Sequence, residues 1–329
     1  MGKHVNIALF VPHAGCTHNC IFCNQKTISG KSEILSVNDV ENACKTALNS
    51  GAKGGEIAFF GGSFTAIDEN YMLTLLEAAY SFIKNGSFSG IRISTRPDCI
   101  DNYKLDILKK YGITAIELGC QSLDDEVLFK NARGHTCEDV VNASKLIREY
   151  GFELGHQMMT GMYGDLGKET AETVERIIEI HPDTVRVYPT IVLENTPLAK
   201  LYEKGEYVPQ SLDYAVCECA EILLKFHNSG IKVIRLGLHS GGNVEDGYIA
   251  GAYHPAFREL VEGRIYRNLI EEKIEGISNK TIEVFVNSSE ISKAIGQKKT
   301  NIEYFKTLGF DIKIKPCEKI NRFEIALNL

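Results

Sequence analysis

The chain has 329 residues, 44% hydrophobic and 24% charged, with a net charge of −7. That length supports one large domain or a large one with a small partner, while the absence of any run of about 18 apolar residues excludes a membrane-spanning helix. The net charge excludes a general affinity for phosphate backbones or anionic membranes; it is uneven, however, because residues 276–329 hold nine Lys/Arg against six Asp/Glu, leaving 27 against 37 in residues 1–275.

The N-terminus, with Lys3, His4 and a short apolar stretch that runs into cysteines, does not read as a cleaved signal peptide. The expected compartment is therefore the cytoplasm, with the ten cysteines present as thiols or metal ligands. Residues 6–12 read as the first strand, and His13-Ala14-Gly15-Cys16-Thr17-His18-Asn19-Cys20-Ile21-Phe22-Cys23 follows it. Further strands are predicted over 56–61, 91–95, 114–119, 152–159, 184–188 and 232–238. Amphipathic stretches lie between them: Ser36-Val37-Asn38 opens a helix that ends at Gly51, another closes at Lys84-Asn85-Gly86, and Leu212, Val216, Cys219, Leu223 and Phe226 form one helical stripe. Alternating strands and helices imply a parallel sheet with right-handed crossovers. Six or more such units fit a complete or partial α/β barrel or a doubly wound open sheet, between which periodicity does not choose.

After residue 275 the pattern changes. A strand over 281–286, a helix over 289–295, the basic turn Gly296-Gln297-Lys298-Lys299, a helix over 301–308 and strands over 311–315 and 322–327 predict a small β-α-α-β domain, 276–329, beside a larger one, 1–275.

Cys16, Cys20 and Cys23 fall in CX3CX2C spacing, and three thiolates so close on a loop hold one face of a metal site; soft ligands select iron–sulfur or zinc. Cys44, the next cysteine, sits inside a predicted helix, so local sequence offers no fourth cysteine for a closed structural zinc site, although His13 or His18 lies near enough to complete one. With Phe22 before the last cysteine, the loop resembles the signature of the radical S-adenosylmethionine (radical SAM) superfamily, and the resemblance extends over about residues 5–240. It implies a partial (β/α)6-type barrel, a 4Fe-4S cluster on Cys16, Cys20 and Cys23 with one iron open, and reductive cleavage of S-adenosylmethionine to a 5′-deoxyadenosyl radical. A reductant such as ferredoxin or flavodoxin is implied as partner.

Phe59-Phe60-Gly61-Gly62-Ser63-Phe64 resembles the family's Gly-Gly-Glu-type motif, with Ser63 in the acidic position; Gly61 and Gly62 are then backbone contacts for the cofactor's amino group. Ile91-Arg92-Ile93-Ser94, Glu117-Leu118-Gly119-Cys120-Gln121-Ser122, Arg133-Gly134-His135, read as part of the next helix, Gln157-Met158-Met159 and Val185-Arg186-Val187-Tyr188 resemble a subgroup that includes coproporphyrinogen dehydrogenase and the radical SAM subunit of the elongator complex. By that resemblance Ser94, Gln121, Arg133, Gln157 and Tyr188 bind the cofactor, Arg133 through its carboxylate and the two amides through ribose hydroxyls. Cys99 and Cys120 follow predicted strand ends and are candidates to touch the substrate. The elongator subunit's wider cysteine spacing and its acetyltransferase domain are not found in this sequence, and neither is the further cysteine that follows the third in coproporphyrinogen dehydrogenase, so neither specific activity carries over. The tail turn resembles the GXXG loop of the K-homology RNA-binding module with its last glycine replaced by Lys299; Lys298 and Lys299 are the expected RNA contacts. Two substrate classes follow: RNA, favoured by the tail, and a small metabolite, favoured by the acidic barrel. A nonenzymatic iron–sulfur protein is the third reading.

Overall fold

A computed structural model of the protein describes residues 6–11, 19–24, 34–52, 54–238, 244–277 and 280–328. Its main sheet has seven parallel strands. These are β1 (Ile7–Val11), β2 (Glu56–Gly61), β3 (Gly90–Thr95), β4 (Ile113–Gln121), β5 (Glu153–Thr160), β6 (Thr184–Pro189) and, after a short β7 (Ile191–Leu193) that leaves the sheet, β8 (Lys232–Leu236). They pair in chain order. A doubly wound sheet needs the order to reverse at a switch point; here it never does, and the sheet curls as a half-barrel. The last predicted strand is shorter than 232–238 because Gly237 turns the chain at φ 81°, where a Cβ would sit 2.8 Å from that of Phe257.

Except for Pro197–Glu203, which packs beside the cysteine turn, the helices cover the outer face. They are α1 (Val37–Asn49), α2 (Glu69–Lys84), α3 (Asn102–Lys110), α4 (Asp125–Lys130), α5 (Cys137–Glu149), α6 (Lys168–Ile180), α7 (Pro197–Glu203) and α8 (Leu212–Asn228). Ser36 with Asp39 and Thr136 with Asp139 form capping boxes that start α1 and α5. Alternate strand residues such as Ile57, Phe59, Ile91, Ile93, Ile116 and Leu118 bury fully against these helices, so the remaining alternate positions point into the barrel. Arg133-Gly134-His135 lie in the loop between α4 and α5 rather than on a helix, since Ala132 (φ 53°) and Gly134 (φ 71°) leave the helical region.

β9 (Tyr248–Gly251) pairs antiparallel with β7 beside the barrel mouth, and α9 (Phe257–Ile274) packs along α8. The C-terminal residues build β10 (Thr281–Val286), α10 (Ile291–Ile295), α11 (Thr300–Thr307), β11 (Asp311–Pro316) and β12 (Ala326–Asn328), with β10 central, parallel to β11 and antiparallel to β12. α10 is shorter than the predicted 289–295 because a 3-10 turn occupies Ser288–Glu290. The last strand is shorter than 322–327: Phe323 takes φ 57°, its N–H donates to the Tyr266 hydroxyl at 3.0 Å, and it buries against α9. Ile282, Val284, Val286 and Phe305 continue the same hydrophobic core. Two nearly buried acids, Glu262 on α9 and Glu290, bridge the junction through Arg258, Lys293 and Arg322.

Candidate functional site at the barrel mouth

A cavity of about 420 Å³ opens inside the half-barrel toward the C-terminal ends of its strands, the usual place for a ligand on a parallel α/β sheet. Its apolar wall is Phe10, Phe22, Phe60, Met159 and Leu193, and its polar lining comes from Ser94 on β3, Gln121 on β4, Gln157 on β5, Arg186 and Tyr188 on β6 and Arg235 on β8. Sequence-predicted Gly61, Ser94, Gln121, Gln157 and Tyr188 thus meet in one cavity. Burial raises the Tyr188 hydroxyl's pKa, against an opposing effect of Arg186, so it presents a protonated hydroxyl.

Cys23 lies on the same lining, and its N–H donates to Cys20 O at 3.1 Å in a tight turn. Cys16, with His13 and His18, lies outside the described residues. The turn is tied on both sides: Leu198 N–H donates to Ile21 O at 2.9 Å, Asn24 Nδ2 donates to Glu194 O at 2.9 Å, and Ile21 and Phe22 pack on the cluster of Val192, Leu198 and Tyr207. Arg133, 6% exposed, donates from Nη1 to Cys20 Sγ at 3.0 Å and from Nη2 to Gly119 O at 2.5 Å. It therefore stands at the cysteine turn and does not line the cavity. Beside it His135 is held neutral, its pKa lowered to about 4 by burial and by Arg133 and Arg96.

Gly61 sits at φ 111° opposite Val11, and a Cβ there would lie 2.8 Å from Val11 O; close approach to the strand that leads into the cysteine loop is what requires glycine. Gly62 N–H is spent on Val11 O at 3.0 Å. An ammonium group needs acceptors, so only the carbonyls of this pair suit one. Ser63 points away from the cavity lining, bonding Thr95 Oγ1 at 2.8 Å and accepting from Arg96 N–H at 3.1 Å, which locks the end of β2 to that of β3.

A charged layer below the cavity carries no sequence-predicted role. Glu117, 1% exposed, accepts from Arg186 Nε at 2.6 Å and Nη2 at 2.9 Å and from Gln157 Nε2 at 2.9 Å, with Arg92 Nη1 at 3.5 Å. Arg92 also pairs with Glu56 at 2.8 Å and Glu153 at 2.9 Å. Gly155 makes room for this layer, since a Cβ there would lie 2.8 Å from Glu117 Cγ. Arg186 lies 4.9 Å from the centre of the Phe60 ring, which completes its packing. The signal was the period of two: Arg92, Glu117 and Arg186 each share the inward parity of a cavity residue on their own strand.

Of the other cysteines, Cys120 faces the outer core, where burial pushes its thiol up to about 12, so it cannot meet a ligand in the cavity. Cys99 is half-buried in the turn after β3. Lys298 and Lys299 are exposed on the turn between α10 and α11 and do not line the cavity. Among the described residues no helix is long and apolar enough to cross a membrane.

The residues present fit a cluster and a nucleoside-bearing cofactor. The Cys20 thiol faces a guanidinium and the Cys23 residue lines the cavity, Gln121 Oε1 and Arg133 Nε are buried without partners, and the apolar wall is wide enough for a flat ring.

Comparison with known proteins agrees with this geometry. Residues 10–177 match the profile of the Radical SAM superfamily, and residues 182–267 match that of the Radical SAM C-terminal domain. A tRNA uridine(34) acetyltransferase of Methanocaldococcus jannaschii is 33% identical over 127 residues, 38% of this chain and 24% of that protein. The heme chaperone HemW of Bacillus subtilis is 28% identical over 198 residues, 58% of this chain and 52% of that protein. In structure, an archaeal Methanocaldococcus infernus Elp3 with an N-terminal deletion superposes with a TM-score of 0.62 at 20% identity, over 82% of this chain and 64% of that one, a likeness of fold. The chain spans between 24% and 63% of the length of the first curated relatives it matches. With its sequential half-barrel, its cysteine turn at the end of β1 and a family profile that covers half its length, the chain belongs to the radical SAM superfamily.

Proposed function

We propose that this radical SAM enzyme modifies RNA. Cys16, Cys20 and Cys23 are its cluster ligands, and Gly61, Ser94, Gln121, Gln157 and Tyr188 hold S-adenosylmethionine in the cavity, with the Gly62 carbonyl and Arg133 serving its methionine end beside the cysteine turn. When bound, cluster and cofactor supply hydrogen-atom abstraction from substrate after one-electron cleavage of the sulfonium, with a ferredoxin or flavodoxin as electron source. The chain's own part is to orient and to exclude water. Phe10, Phe22 and Phe60 dry the cavity, the Arg133 guanidinium offsets thiolate charge at Cys20, and the amides of Gln121 and Gln157 take ribose hydroxyls.

The observation that carries the RNA reading is the turn after α10. Gly296 at φ 80° leaves no space for a Cβ, which would lie 2.6 Å from Thr300 Oγ1, and Lys298 (φ 51°) and Lys299 (φ 64°) are both left-handed and exposed. A left-handed residue that is not glycine costs roughly 1–2 kcal/mol, so two in succession with cationic side chains are explained by a use for the charge. The relative named a tRNA uridine(34) acetyltransferase supports the same class.

The test is RNA affinity of the full chain as salt is raised. Lys298→Glu/Lys299→Glu should flatten the log–log slope by roughly 0.7 per lost single-strand contact, and Lys299→Gly, which suits the backbone, should remove one contact without unfolding. Binding that ignores both salt and these lysines would defeat the RNA reading and leave a small metabolite as substrate.

A further inference from the structure

The polarity of the Gln157 amide is fixed from below. Its Nε2 donates to Ser94 Oγ at 3.0 Å and to Glu117 Oε2 at 2.9 Å. An amide nitrogen has two hydrogens, so both are used, and what remains for the cavity is the carbonyl oxygen. The orientation follows from Glu117: every polar neighbour of its carboxylate is a donor, Arg186 twice, Gln157 once and Arg92 nearby. A flipped amide would set oxygen against oxygen. Across the cavity Gln121 Oε1 is buried and without a partner. The Gln157 carbonyl facing this space suits a ligand group that donates a hydrogen bond, such as a ribose hydroxyl.

We infer that Glu117 is a positioning residue: it sets Gln157 as an acceptor toward the cavity and so selects a ribose hydroxyl there. Glu117 itself does not line the cavity, and Gly155 supplies the space it needs. The inference rests on the cofactor reading above, and the experiment separates the two.

S-adenosylhomocysteine, which cannot be reductively cleaved in the same way, and its 2′-deoxy and 3′-deoxy forms would be bound to the anaerobically reconstituted protein and measured by equilibrium dialysis. Glu117→Gln allows the Gln157 amide to turn over, and affinity for S-adenosylhomocysteine should fall by about tenfold, the equivalent of one lost buried hydrogen bond. The same substitution should cost less than about threefold for the deoxy form that lacks the hydroxyl facing Gln157, because the mis-set contact is already gone. In a Gln157→Met background, Glu117→Gln should have no further effect.

Equal losses for all three ligands, or an effect of Glu117→Gln undiminished by Gln157→Met, would overturn the inference and give Glu117 a role in folding alone. Should Glu117→Gln fail to fold, Gln157→Met on its own decides: retained discrimination between S-adenosylhomocysteine and both deoxy forms overturns it. A wild-type protein that binds none of the three refutes the cofactor reading itself, a distinct result.

Discussion

The junction between α9 and the C-terminal sheet gives the sharpest test of how the chain is held together. Glu262 is 3% exposed and collects Arg258 at 2.9 Å, Arg322 at 2.5 Å and Lys293 at 3.3 Å. Glu262→Gln keeps the shape and removes the charge. Breaking a fully buried pair costs roughly 3–5 kcal/mol, but the arginine side chains are 35% and 37% exposed and Glu290 still serves Lys293 and Arg322, so about 2–3 kcal/mol is expected. An unfolding entropy of roughly 2.1 cal/mol/K per residue, scaled to this chain, is about 0.7 kcal/mol/K, and the melting temperature should fall by about 3–4 °C in one cooperative transition. Differential scanning calorimetry at pH 7.5 reads it directly. A shift below about 1 °C would show that water already screens the cluster and that apolar contacts alone dock the C-terminal unit.

Two further outcomes are expected. Burial holds the pKa of His135 at about 4 and that of His156 at about 3, below the ordinary 6.5; the unfolded chain takes up these protons first, so their contribution is complete above about pH 6.5 and is lost as pH falls, by about 2 kcal/mol each at pH 5. Urea midpoints at pH 7.5 and 5 should show this, and His156→Gln should remove its share of the drop; an unchanged pH dependence in that variant contradicts the account. Gly61→Ala, forced against Val11 O, should cost about 1–3 kcal/mol from backbone strain and reduce iron bound after reconstitution, and a variant with wild-type melting temperature and iron content would show that the β1–β2 contact yields freely.

The seven main strands were legible because their outward positions are apolar, most clearly in residues 7–11 and 57–60, with glycine and capping residues between the strands. The half-barrel was one of two readings left open by periodicity; strand order, a property of the whole chain, decides it. At the site, the cavity residues came from resemblance, while Glu117, Arg92 and Arg186 were passed over although each stood inside a quoted motif. A charged residue in an apolar strand has no local partner, and its three partners come from other strands. Arg133 was legible as a residue with a site role, but its contact with Cys20 spans 113 positions and no local pattern encodes it. Phe323 was read into a strand because its hydrophobicity fits one; a single left-handed backbone angle, chosen by the Tyr266 hydroxyl, cannot be seen in residue type.

β1 is an edge strand, hydrogen-bonded in the sheet only to β2 among the described residues and over five positions. In a native protein the free energy of opening is lowest at such edges and highest at the centre, here β4 and β5. The strand that leads into the cysteine turn is therefore among the first to part from the sheet while the rest keeps its order. Cys20 and Cys23 are tied instead to α7, Glu194 and Arg133, so β1 can part from the sheet while this half of the cysteine turn stays in place.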